Sequence, residues 1–74
     1  MIGKIKSRID YYYDLGYTKL LLRMKQESYE KLRDECLSLN SLLVELPQNY
    51  PIFMGVPIDI DDSIAVDWYV TEAF

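Results

Sequence analysis

The sequence predicts an α+β fold: one main helix packed on a small antiparallel sheet, within a single small domain spanning residues 1–74. Three observations predict it. Tyr29, Leu32, Cys36, Leu39 and Leu43 recur at helical spacing and lay one apolar stripe along a helix. The apolar run Leu20–Leu22 bracketed by Lys19 and Arg23, the run Ile52–Met54 between Pro51 and Gly55, and the alternating segment after Asp61-Asp62-Ser63 read as strands and turns. Half of the residues are apolar and 14% are aromatic, too rich a mixture for a disordered chain.

Taken in order, Ile2, Ile5, Ile9, Tyr12 and Tyr13 fall close to a helical period, with Lys4, Lys6, Arg8 and Asp10 on the other face. The β-branched Ile5 and Ile9 and three consecutive tyrosines favour a strand instead, so both readings stay open. Gly16 ends the segment in either case. Tyr17 to Met24 reads as a central strand covered on both faces, because Leu20, Leu21 and Leu22 are consecutive; the alternative is a helix starting near Thr18. Gln26 to Val44 is the main helix. Glu27 and Lys31 pair at i,i+4 on its flank, Ser38, Asn40 and Ser41 weaken its last turns, and Pro47 forbids continuation. Pro51 to Ile60 reads as a hairpin turning near Gly55, with Pro57 implying an edge strand. Ala65 to Thr71 alternates Val66, Trp68 and Val70 against Asp67, Tyr69 and Thr71, and reads as the last strand. The sheet's buried face is expected to hold Leu20, Leu22, Ile58, Ile60, Trp68 and Val70.

Charge is unevenly distributed along the chain. All eight Lys and Arg residues lie at or before Arg33, where four acids oppose them, for a net +4. Residues 34–74 hold eight acids and no base, a net −8, and the whole chain carries −4. An anionic surface repels nucleic acid and attracts basic surfaces, including those that bind nucleic acid. A domain this small buries only ~60% of its unfolded surface, so packing and dimerisation are the routes to a larger core. The lone Cys36 cannot form an internal disulfide and suits a reducing compartment. No signal peptide is visible, and apolar runs of three residues are far short of a membrane span, so a cytoplasmic location is expected.

No catalytic group stands out. Histidine is absent, which removes Ser/His and Cys/His catalysis and the commonest zinc ligand. Cys36 lies on the apolar stripe beside Asp34 and Glu35, where a thiol packs rather than reacts. Asp59, Asp61 and Asp62 fail the EF-hand pattern, because the sixth and twelfth positions counted from Asp59 hold Ile64 and Val70. No metal site, catalytic residue or cofactor is expected. A solvated strand face running into an Asp/Ser turn is the plainer reading of these acids, and a partner-binding face is the functional one. Alternate acids on a strand repeat every ~6.6 Å, about twice the ~3.4 Å spacing of charges on one DNA strand. The candidate partner-binding residues are Asp59, Asp61, Asp62, Asp67 and Glu72, with Tyr69 as an anchoring aromatic. The tyrosines interleaved with bases near the N-terminus could stack on single-stranded nucleic acid, but a core or interface role fits the negative chain better. Gln48-Asn49-Tyr50-Pro51-Ile52-Phe53 invites comparison with short clamp-binding peptides; a loop entering the hairpin is the plainer reading.

The stretch Leu21 to Leu32, followed by Phe53-Met54-Gly55-Val56-Pro57-Ile58-Asp59-Ile60-Asp61-Asp62-Ser63, resembles small phage-encoded proteins with a strand, a helix opening near Ser-Tyr, and a Gly-Val-Pro hairpin. Within that class, length and acidity resemble phage inhibitors of the host DNA sliding clamp. The resemblance implies a non-enzymatic, DNA-mimicking, dimeric plug for the clamp's basic channel, with no direct contact to nucleic acid or membrane. Small phage assembly proteins and acidic inhibitors of other DNA-binding proteins, such as anti-CRISPR proteins, are the alternatives.

Overall fold

Residues 1–38, 43–45 and 50–73 are described by a computed structural model of the chain. Helix α1 spans Ile2–Asp14 and settles the open reading of the N-terminal segment. Ile5 and Ile9 sit one turn apart, both buried, and Tyr12 continues their stripe, while Tyr11 and Tyr13 are exposed. The three tyrosines therefore fit a helix because only one of them must face the core. The helix closes with a Schellman motif. Tyr17 N–H donates to Tyr12 C=O and Gly16 N–H to Tyr13 C=O, at 3.2 and 3.0 Å, with Gly16 at φ 97°. The rings of Tyr12 and Tyr17 meet edge-on at 5.4 Å, supplying the apolar contact that accompanies this motif.

Strand β1, Leu20–Met24, buries Leu20, Leu22 and Met24 and leaves Leu21 and Arg23 half-buried. It is an interior strand, as its apolar run suggests, but one face is much more open than the other. Helix α2 covers Gln26–Ser38, with Tyr29, Leu32 and Cys36 buried. The expected extension to Val44 is corrected: Leu43–Val44 form strand β2, opposite Phe53 and Ile52 of strand β3, Ile52–Phe53. Pairing with β3 uses the apolar pair Leu43–Val44, which therefore lies outside the helix. Leu39 lies outside the described residues.

Strand β4, Val56–Ile60, completes the hairpin with β3. Met54 and Gly55 both have positive φ, 52° and 81°, as a two-residue type I′ turn requires. Pro57 does not mark an edge. It lies in an interior strand, opposite Ile52, where its missing N–H points away from β3 and the pairing with β1 begins one residue later, at Ile58. Strand β5 is Trp68–Glu72, shorter than the expected Ala65–Thr71; Val66 is 51% exposed. Residues 61–67 instead wrap past the start of α2. Asp61 N–H donates to Met24 C=O and Lys25 N–H to Asp67 C=O, so the backbone is satisfied outside a strand.

The sheet runs β2-β3-β4-β1-β5. The α+β class holds, with two helices rather than one. The sheet is mixed rather than antiparallel, because β1 pairs parallel to β4 (Leu22 opposite Ile58) and antiparallel to β5 (Leu22 opposite Val70). Both helices contribute to one core with the buried strand residues, and the Met1 amine ties α1 to Glu35 of α2 at 3.1 Å. Of the expected buried face, Leu20, Leu22, Ile58 and Val70 are in the core, Trp68 packs at its margin, and Ile60 is 36% exposed at the strand end. Among the described residues, no helix is long and apolar enough to cross a membrane.

Candidate functional site

The local sequence leaves α2 without its own cap. Lys25 precedes the helix, and Lys lacks an oxygen to accept the orphan N–H groups of the first turn. The 61–67 segment supplies what is missing. Asp62 Oδ1 accepts from Gln26 N–H at 2.8 Å, and Asp67 C=O accepts from Lys25 N–H at 3.0 Å. A carboxylate at this end also faces the positive pole of the helix dipole. Asp61 shapes the same segment: its Oδ1 accepts from Ser63 N–H at 2.9 Å and from the Ser63 hydroxyl. These bonds hold the Asp61 carboxyl below its ordinary pKa, the side-chain bond first and the backbone bond second.

Asp59 lies one strand-step away on the more open sheet face. Its Oδ2 is 3.2 Å from Arg23 Nε, directly across from it in the parallel register. The geometry is an ion pair without a well-aligned hydrogen bond, which leaves that buried Nε proton without an acceptor. On its other side Arg23 donates from Nη1 to Tyr69 Oη at 3.3 Å. The Tyr69 bond, ahead of the Asp59 and Asp61 charges, raises the guanidinium pKa further. Tyr69, Arg23 and Asp59 thus form a row across β5, β1 and β4.

The fold therefore brings Asp59, Asp61, Asp62 and Asp67 to one end, where β1 and β4 finish and α2 begins. Glu27 and Glu30 from the first turns of α2 join them; Glu27 pairs with Lys31 at 3.6 Å and Glu30 accepts from Gln26 Nε2 at 3.4 Å. Exposure is greatest at Asp62, Asp67, Glu27 and Glu30. Glu72 does not belong to this end. It lies opposite Leu20, at the far end of β5, and projects on the helix side of the sheet. Tyr69 is half-buried against Arg23 rather than beside Asp67, which precedes the strand.

Sequence reasoning placed the acids together, and its reading of Asp61, Asp62 and Ser63 as a turn agrees with the Asp61–Ser63 bonds; it missed the cap that Asp62 supplies to α2. The signal was the Lys at the capping position of an otherwise strong helix, which calls for a cap from elsewhere in the chain. Among the described residues, no group of three or more Cys, Asp or Glu residues is arranged to hold a metal ion. Phe53 is fully buried, so the clamp-peptide comparison loses its aromatic anchor; Gln48 and Asn49 lie outside the described residues. Comparison with family models, with curated proteins and with solved structures gives no match to this chain.

Proposed function

We propose that this chain is a non-enzymatic, acidic inhibitor that binds a basic, DNA-binding surface, with a bacterial DNA sliding clamp as the leading target. The observation that carries this reading is the acidic end: Asp59, Asp61, Asp62 and Asp67 are drawn together with Glu27 and Glu30, and two of the nearby bases, Arg23 and Lys31, are already paired. Preorganised charge of this kind speeds encounter with a basic channel, while a few contacts supply affinity. The half-buried Leu21, Tyr69 and Thr71 on the more open sheet face suit self-association into a dimer, which doubles the acidic display. The host cytoplasm is where such a target resides.

The test is binding to purified clamp, measured as association rate against ionic strength. Charge should be removed without removing the helix cap, so Asp62→Asn and Asp67→Asn are the variants of choice. The double variant is expected to associate more slowly and with a shallower salt dependence. No binding by the wild-type chain at micromolar clamp removes the clamp as target; unchanged rate and salt slope in the double variant remove the acidic end as the contact.

A further inference from the structure

A second surface lies along the β5 edge of the sheet, next to the acidic end, and differs from it in charge. Among the described residues, strand β5 has β1 on one side and no strand on the other. Its hydrogen-bonding parity can be read from the bonds that flank it. Lys25 N–H donates to Asp67 C=O, and Ala73 N–H donates to Lys19 C=O. Odd-numbered residues of this segment therefore face β1, and the N–H and C=O groups of Trp68, Val70 and Glu72 point away from the sheet at its free edge. Beside that edge runs an open groove of about 780 Å³ between β5 and α1, walled by Lys4, Ser7, Arg8, Tyr11 and Trp68. It continues along the strand past Arg8 and Tyr12 to Tyr69 and Val70. Among the described residues, no acid lines either part. Arg8 lies over the Tyr11 ring at 5.7 Å, which holds the guanidinium at the groove wall.

We infer that this groove binds an extended acidic peptide segment of a partner protein, added as a sixth strand along β5. A strand laid there takes main-chain bonds from Trp68, Val70 and Glu72 and directs alternate side chains toward α1. Lys4 and Arg8 are one helical turn apart, about 6 Å, and same-face residues of a strand are about 6.8 Å apart. An acid-x-acid sequence therefore matches both bases in one register. A second copy of the chain fits the edge less well. Two-fold pairing of β5 with β5 would set the Lys4 and Arg8 walls of both copies face to face, where like charges repel. The site adjoins the acidic end at Trp68, but its lining bases, Lys4 and Arg8, come from α1.

Trp68 is the only tryptophan, so its emission reports occupancy directly. The probe is a synthetic peptide, acetyl-Ser-Glu-Val-Glu-Ser-amide, with the Lys-Val-Lys analogue as control. The full chain should give a saturable Trp68 emission change with the Glu peptide at roughly 0.1–1 mM, and none with the Lys peptide. Amide exchange at Trp68, Val70 and Glu72 should slow by about tenfold on binding, with Tyr69 and Thr71 little changed. Lys4→Gln with Arg8→Gln should weaken binding by roughly tenfold or more while the melting temperature stays put, because both side chains are exposed. Equal binding of both peptides, or an emission change without protection of the three edge amides, overturns the proposal. So does concentration-dependent protection of those amides in the peptide-free protein, which would give the edge to a second copy.

Discussion

Replacing Asp62 separates the two contributions it makes to α2. The carboxylate accepts from Gln26 N–H at 2.8 Å and places a negative charge at the helix N-terminus. Losing a side-chain cap typically costs ~1 kcal/mol, and the charge–dipole attraction contributes ~0.3–1 kcal/mol. Asp62→Ala removes both, so the expected loss is ~1–2 kcal/mol. Asp62→Asn keeps an oxygen acceptor and loses only the charge, so ~0.3–1 kcal/mol is expected. In a domain of this size each kcal/mol moves the melting temperature by ~4–8 °C. Thermal unfolding followed by far-UV circular dichroism should therefore rank wild type above Asn and Asn above Ala, with Ala lower than wild type by roughly 5–15 °C. Exchange of the Gln26 amide should quicken most in the Ala variant. If Ala melts within about 1 °C of wild type, or if Asn and Ala are equal, the carboxylate does not cap the helix as argued.

Gly55→Ala should destabilise by ~1–2 kcal/mol in urea titration: no atom lies within 4 Å of the added Cβ, so the loss is the strain of φ 81° alone. Leu22→Ala, at a fully buried site between β4 and β5, should cost ~2–5 kcal/mol and leave little folded protein at 37 °C. Burial, then a hydrogen bond to Glu45, pushes the Tyr29 phenol from 10.0 up to about 12. Its pKa is raised in the folded state, so its contribution is whole below pH 10 and disappears as pH rises toward about 12; Tyr29→Phe should flatten that alkaline loss in a stability–pH curve. Asp61 has a lowered folded pKa, so its contribution is present above pH 3.8 and fades as pH falls below it; Asp61→Asn should flatten the acid limb of the same curve.

The periodic parts of the chain were legible because burial on one face leaves a pattern. Tyr29, Leu32 and Cys36 gave α2, and the Met54-Gly55 turn between apolar pairs gave the hairpin. What escaped was set by contacts distant in sequence. Nothing in Leu20–Met24 says that one neighbour is parallel and the other antiparallel, and that choice made the sheet mixed. Leu43 continues the helical stripe in sequence and pairs with Phe53 in space, because a strand partner outweighs a weak helix end. Val66 alternates correctly for a strand yet is exposed, because residues 61–67 are occupied in closing the start of α2. The candidate acids were legible as a charge pattern and an Asp/Ser turn, whereas the roles of Asp62 as cap and Asp59 as ion-pair partner required knowing where α2 begins and which strand lies beside β4.

The parallel pairing of β1 with β4 also bears on how the chain reaches its native state. Parallel neighbours cannot be joined by a tight turn, and here the whole of α2 and the β2–β3 segment intervene. Leu20 waits further still, for Glu72. The first half of the chain can form helical turns early, but its central strand finds neither partner until the last third arrives. Loop closure must precede the contacts that reward it, which slows folding relative to a helical bundle of equal length. During that interval Leu20, Leu21 and Leu22 remain an unpaired apolar edge, the segment most prone to capture by another chain. Refolding yield should therefore fall with protein concentration more steeply than equilibrium stability alone would dictate.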